Sequence, residues 1–239
     1  MNLQELTDWL RALAAEVKRT KPDFPCNVVR GCPIPFFGSV LKARVLTVGV
    51  NPSSAEFTRK RRWQEPLKLP AWQERLVNYF NWPVPACEWF ETWSICLEFL
   101  GLSYAAGSAA HLDISPRPTK AMIKNAKTDQ REFRTMVEYD VKWFFELLGK
   151  LPQVQLLLVA GPIPRADGRR QQLADFIGDQ CENHHCQWLG RRPLPTLTTP
   201  GHPEGISVFV CPYEPDVDGL YAMVRQVYRN RERLRGRLV

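Results

Sequence analysis

The sequence predicts an α/β protein of three layers, α/β/α, around a central, mostly parallel four-stranded sheet. Three observations carry that expectation: four short apolar runs at residues 45–50, 109–114, 156–160 and 207–211, Gly or Pro at their borders, and helical periodicity between them. Runs of that length suit buried strands, and strands that alternate with helices pair in parallel, since a parallel crossover has room for a helix. At 239 residues and 44% apolar content the chain suffices for one filled core. No repeat, low-complexity segment or long linker divides it, so a single domain over 1–239 is expected.

Taken in order, residues 1–21 space Leu3, Leu6, Leu10, Leu13 and Val17 among Glu5, Asp8, Arg11, Glu16, Lys18 and Arg19. That is an amphipathic helix and not a signal peptide. After the first strand, residues 72–80 and 87–100 carry the spaced aromatics of two packed helices. After the second, residues 132–150 set Phe133, Met136, Val137, Val141, Phe144, Phe145 and Leu148 on a helical period. The last helix runs from about Asp216 to Arg235, between Pro215 and Gly236.

A net charge of +7 and a pI near 9.1 favour an acidic partner, of which the nucleic-acid backbone is the commonest. No apolar run approaches the roughly 20 residues that cross a bilayer. A monomeric cytoplasmic protein without membrane contact is expected. Seven cysteines at irregular spacings argue against a disulfide framework and lack the Cys-x-x-Cys of an iron–sulfur site. Cys181, His184, His185 and Cys186 are zinc-type donors, but no second ligand pair follows at finger spacing, and a polar loop after a helix explains them. Neither a metal nor a cofactor is expected.

Ligands of parallel sheets bind beyond the carboxyl ends of the strands. Asn51-Pro52-Ser53 follows the first strand, Asp113 to Thr119 closes the second, and Gly161-Pro162 follows the third. The segment Pro200-Gly201-His202-Pro203 precedes the fourth strand instead of following it.

Three of these segments resemble motifs of the uracil-DNA glycosylase superfamily. Pro33-Ile34-Pro35-Phe36-Phe37-Gly38 followed by Val45 to Ser53 is similar to the first, with Gly49 and Pro52 framing Asn51 as in the mismatch-specific uracil and thymine branch. The resemblance implies that Asn51 holds a water, through its carbonyl, for attack on the sugar C1′ as the base departs. Thr199-Pro200-Gly201-His202-Pro203-Glu204-Gly205-Ile206-Ser207 resembles the His-Pro motif. It implies that His202 donates to the developing charge on pyrimidine O2 and that Ile206 is the wedge filling the gap left by an extruded nucleotide. Leu112-Asp113-Ile114-Ser115-Pro116-Arg117-Pro118-Thr119 resembles the mid-chain segment, where the uracil-specific branch reads the base with an Asn. Asp113 stands there instead, and a carboxylate suits the exocyclic amine of cytosine. Ser53 stands where that branch has a Tyr that crowds pyrimidine C5, which leaves room for a 5-substituent.

Each residue also has a plainer reading. Asn51-Pro52 suits a turn, His202 a loop imidazole on a carbonyl, and Asp113 a cap or a partner of Arg117. Arg59, Lys60, Arg61 and Arg62 suit phosphate contacts or a solvated loop, and Phe57 or Trp63 a stacking ring or core. The arginines from Arg225 to Arg237 read as a solvent face. The resemblance implies a monofunctional DNA glycosylase on duplex DNA with an extruded pyrimidine, leaning to a 5-modified cytosine of the kind found in phage DNA. The alternatives are a uracil or mismatched-thymine glycosylase of base-excision repair, and a non-catalytic binder of modified DNA.

Overall fold

A computed structural model of the chain describes residues 1–24, 26, 32–53, 68–83, 86–119, 127–165, 167, 169–190, 194–211 and 217–238. In chain order its elements are α1 (Leu3–Arg19), β1 (Phe36–Phe37), β2 (Val45–Gly49), α2 (Leu69–Val77), α3 (Glu88–Glu98), β3 (Ala109–Asp113) and α4 (Lys127–Gly149). Then follow β4 (Leu156–Val159), β5 (Pro162–Pro164), β6 (Arg170–Gln172), α5 (Leu173–Gln180), β7 (Gln187–Leu189), β8 (Thr196–Thr199), β9 (His202–Val210) and α6 (Val217–Arg235).

All four apolar runs are strands, and they lie side by side. β2 pairs in parallel with β3 (Val45↔Ala109 to Gly49↔Asp113) and with β4 (Val45↔Leu156), and β4 pairs in parallel with β9 (Leu156↔Ser207). Every residue of β2, β3 and β4 is buried, as a sheet covered by helices on both faces requires. The sheet has seven strands, however, and not four, in the order β1-β3-β2-β4-β9-β8-β7. The three additions are antiparallel and flank the four parallel strands. β1 is two residues long, and β7 and β8 alternate exposed or half-buried positions with few apolar ones. β1 is too short and β7 and β8 too mixed for composition alone to reveal them. β9 also begins five residues earlier than its apolar stretch, because β8 pairs along that polar half.

The expected helices are present. Asn2 and Glu5 close a capping box on α1, each side chain bonded to the other's backbone N–H, which satisfies two donors that a helix start leaves open. Leu6, Trp9, Leu10, Leu13 and Val17 form its buried stripe. α1 meets α4 where Trp9 and Trp143 pack edge to face, ring centroids 5.9 Å apart. α3 meets α6 where Phe99 and Tyr228 do so at 5.1 Å. α5, eight residues long with Leu173, Ala174, Phe176 and Ile177 buried, is too short for its period to stand out. One hydrophobic cluster extends from Leu6 to Leu234. Among the described residues no helix is long and apolar enough to cross a membrane.

Candidate active site

The parallel register brings Gly49, Asp113, Val159 and Val210 to one edge of the sheet. Asn51 lies just beyond it. Its amide nitrogen donates to Thr119 Oγ1 at 3.0 Å, to Arg117 O at 3.1 Å and to Pro52 O at 3.1 Å. Two backbone carbonyls at one end of the amide, which can only accept, settle which atom is nitrogen. The other end, Oδ1, has no hydrogen-bond partner among the described residues and is free to accept from a water. Pro52 is buried behind Asn51, and exposed Ser53 bridges to Thr119.

The segment that holds Asn51 is itself held by a buried ion pair. Arg117 Nε donates to both oxygens of Asp140 on α4, at 2.8 and 3.1 Å, and its other nitrogens reach Val17 O and Thr20 Oγ1 at the end of α1. Both side chains are fully buried, Ser115 adds a third hydrogen bond to Asp140, and the guanidinium lies over the Phe24 ring at 4.8 Å. Burial pushes the Asp140 carboxyl up, and Arg117 opposes it. Arg117 is therefore a positioning residue, and the pairing of Asp113 with Arg117 allowed by the sequence does not occur.

Asp113 faces His111 instead. His111 Nε2 lies 3.3 Å from Asp113 Oδ1, His111 Nδ1 lies 2.8 Å from Thr47 Oγ1, and Thr47 Oγ1 lies 2.5 Å from the Tyr104 hydroxyl. All four residues are buried. Residues alternate faces along a strand and pair across it, so Thr47, Gly49, His111 and Asp113 share one face, with Phe37 and Phe90 against the imidazole at 5.8 and 5.1 Å. Burial pushes the Asp113 carboxyl up and His111 partly offsets it, while burial also keeps the Tyr104 phenol well above its ordinary value. Sequence reasoning passed over His111, Thr47 and Tyr104. The signal available was His111-Leu112-Asp113, two polar residues at strand spacing in an otherwise apolar run.

Gly49 is required here by close approach. A Cβ at this position would lie 2.8 Å from Asp113 Oδ1 and 3.0 Å from His111 Nε2. Gly49→Ala is expected to separate the two side chains and to cost about 1–3 kcal/mol, as overpacking does. Denaturant unfolding checks it, and wild-type stability would show that the cluster is looser than its distances.

His202 does not reach this edge. It opens β9, whose nine residues carry the chain roughly 26 Å before Val210 arrives beside the site. Its Nε2 donates to Leu151 O at 2.8 Å and its Nδ1 lies 3.0 Å from Thr199 Oγ1, the neutral arrangement that burial also favours by pushing its pKa down. Gly201 packs on the end of α4, where a Cβ would fall 1.8 Å from Gly149 O. The Gly-His pair is thus explained by docking of the β8–β9 turn onto α4. Ile206 is fully buried and pairs with Leu197 in mid-strand, so it is core and not a wedge. His202→Ala is expected to cost about 1–3 kcal/mol by orphaning Leu151 O and to leave any base release per folded molecule unchanged. Urea unfolding alongside single-turnover rates separates the two effects.

Phe57, Arg59, Lys60, Arg61, Arg62 and Trp63 lie outside the described residues. Cys181 and Cys186 donate to the carbonyls of Ile177 and His184, burial pushes the Cys181 thiol up to about 12, and His184 stacks on Phe145. Among the described residues no group of three His, Cys, Asp or Glu converges as metal ligands do. The β5–β6 hairpin rises from the end of β4 at the same edge as Asn51. It carries exposed Arg165, Arg169 and Arg170, of which Arg169 pairs with Asp167. The chain matches no family model and no curated protein. The geometry of this edge therefore carries the functional reading. Arg225, Arg229, Arg233, Arg235 and Arg237 are exposed on α6 and beyond it.

Proposed function

We propose that this protein is a monofunctional DNA glycosylase with a uracil-DNA glycosylase-like fold, which hydrolyses the N-glycosidic bond of an extruded pyrimidine and favours a 5-modified cytosine. Asn51 carries the reading: its amide nitrogen is tied down by three acceptors while Oδ1 stays free, the arrangement that orients a water without ionising it. An amide is a weak base, so such a site suits a reaction in which the base departs first and water adds to C1′ afterwards. Asp113 beside Gly49 supplies a polar group for the base edge, and exposed Ser53 leaves space at pyrimidine C5. The net charge and the arginines of the β5–β6 hairpin suit a duplex, whose binding is expected to weaken steeply with salt as counterions are released.

A panel of duplex oligonucleotides carrying uracil, mismatched thymine, 5-hydroxymethylcytosine or glucosylated hydroxymethylcytosine, assayed for abasic sites, tests the proposal. Release from the modified cytosines alone supports the leaning to antiviral defence. Release from uracil or mismatched thymine supports base-excision repair. One observation favours a second reading, a binder of modified DNA without cleavage: His202, the residue assigned to stabilise the leaving base, is engaged with Leu151 at the far end of the sheet. Tight, salt-dependent binding to a modified duplex with no abasic product is the outcome that selects it.

A further inference from the structure

The buried chain Tyr104–Thr47–His111–Asp113 admits an arrangement of protons that uses every donor. In it the Tyr104 hydroxyl donates to Thr47 Oγ1. Thr47 then donates to His111 Nδ1, and the neutral imidazole keeps its hydrogen on Nε2 and donates to Asp113 Oδ1. Asp113 Oδ2 is buried and has no hydrogen-bond partner among the described residues. In this arrangement the ring facing Asp113 carries no charge, and burial favours the acid form of the carboxyl. With Oδ1 taken by the Nε2–H, the acid proton belongs on Oδ2, the one unpartnered atom of the network, at the end of β3 where the candidate site begins.

We propose that Asp113 is the proton donor to the departing base and that His111 is its positioning residue. The inference rests on the glycosylase reading above. As the C1′–N1 bond breaks, its electron pair goes to the base. The Oδ2 proton passes to ring N3, and the base leaves as a neutral tautomer. Asp113 is left as a carboxylate whose Oδ1 already accepts from His111, a donor placed before the charge forms. Water held by Asn51 adds to C1′ and releases its proton to solvent. Ring N3 takes a proton only in a cytosine-type base, because N3 of uracil and thymine already bears hydrogen. The substrate is therefore a cytosine-type base, and the 5-position is not what excludes uracil. A carboxylic acid kept neutral by an apolar site so that it donates is a known device of enzymes.

The titratable groups near Asp113 among the described residues are His111 on its own strand and Tyr104 beyond Thr47, with Cys87 and Cys96 acting on Tyr104. The rings of Phe37 and Phe90 fill the surroundings of His111. Burial raises the Asp113 carboxyl above 3.8, so the acid form persists above the range in which an ordinary aspartate ionises and is lost as pH rises through the raised value.

Two measurements on the full chain test this. The first is an infrared titration of wild type against Asp113→Asn, following the carbonyl band of the protonated acid, which needs no substrate. The band is expected to outlast the ordinary aspartate range, and His111→Phe, which keeps a ring in the same space but removes the Nε2–H, is expected to move its midpoint higher still. The second is single-turnover release from duplexes carrying 5-hydroxymethylcytosine or uracil. Release of the modified cytosine is expected to fall tenfold per pH unit above that midpoint, and Asp113→Asn is expected to lower it on the order of 100-fold or more while duplex binding persists. Ionisation of Asp113 in the ordinary range, a midpoint indifferent to His111→Phe, or Asp113→Asn releasing at the wild-type rate overturns the inference and leaves the glycosylase reading standing. A protonated Asp113 with no abasic product from any duplex overturns the glycosylase reading, and the proton-donor role with it.

Discussion

Asn51→Ala is expected to lower base release by about 100-fold or more, within the span that positioned acid–base groups contribute, while binding to the same duplex persists. The substitution removes the free Oδ1 proposed to orient the water and also the hydrogen bonds made by Nδ2. Those bonds contribute on the order of 1 kcal/mol each, so some stability is lost as well. Domains of this size hold roughly 5–15 kcal/mol, and a loss of about 2–3 kcal/mol leaves most molecules folded. The rate effect therefore dominates. Asn51→Asp separates the two contributions further: it keeps an oxygen for the water but turns a donor into an acceptor facing the carbonyls of Pro52 and Arg117. Thermal melting reports the stability cost and single-turnover release reports the chemistry. Asn51→Ala releasing base at the wild-type rate would remove Asn51 from the mechanism.

Arg117→Met is expected to be the most destabilising single change at the site, by about 3–5 kcal/mol, because it leaves the Asp140 carboxylate buried without its partner. For a chain of this length each kcal/mol lowers Tm by roughly 2–4 °C, so a fall on the order of 10 °C is expected. The pair as a whole contributes far less than that, since two desolvated charges recover only part of their hydration. Arg117→Met combined with Asp140→Leu, which removes both charges and leaves apolar volume, is accordingly expected to regain most of the loss. Base release is not expected to recover in step. Arg117 O and Thr119 Oγ1 hold the Asn51 amide only while the segment from Ser115 to Thr119 stays docked on α1 and α4. A double variant that is stable but slow supports the positioning role, and one that is both stable and fast excludes it.

The chain's periodicities were informative where burial is continuous. β2, β3 and β4 are buried at every residue, so each reads as an unbroken apolar run, and α1 and α4 are long enough to show a stripe. β1, β7 and β8 are short or half-exposed, and their pairing partners, not their composition, make them regular, while α5 is too short to show its period. The same distinction separates the site residues. Asn51 and Asp113 directly follow or close apolar runs, and the carboxyl end of a parallel strand is where such residues converge.

His202 and Ile206 are the instructive failures. Both belong to a segment whose residues match a motif, yet β8 pairs along it and turns it into the first half of a long strand. That places the motif at the opposite end of the sheet from Asn51. His111, Thr47 and Tyr104 lie 57 to 64 residues apart across the relevant pairs, and nothing local to any of them announces the others. By itself the sequence determined the parallel core and put Asn51 and Asp113 at its carboxyl edge, because both follow from short-range burial patterns. Only the tertiary structure decided which polar atoms meet there: that Arg117 turns inward to Asp140, that His111 claims one oxygen of Asp113, and that His202 serves α4. Hydrogen-bond partners are chosen by strand register and helix docking, which are long-range outcomes of packing.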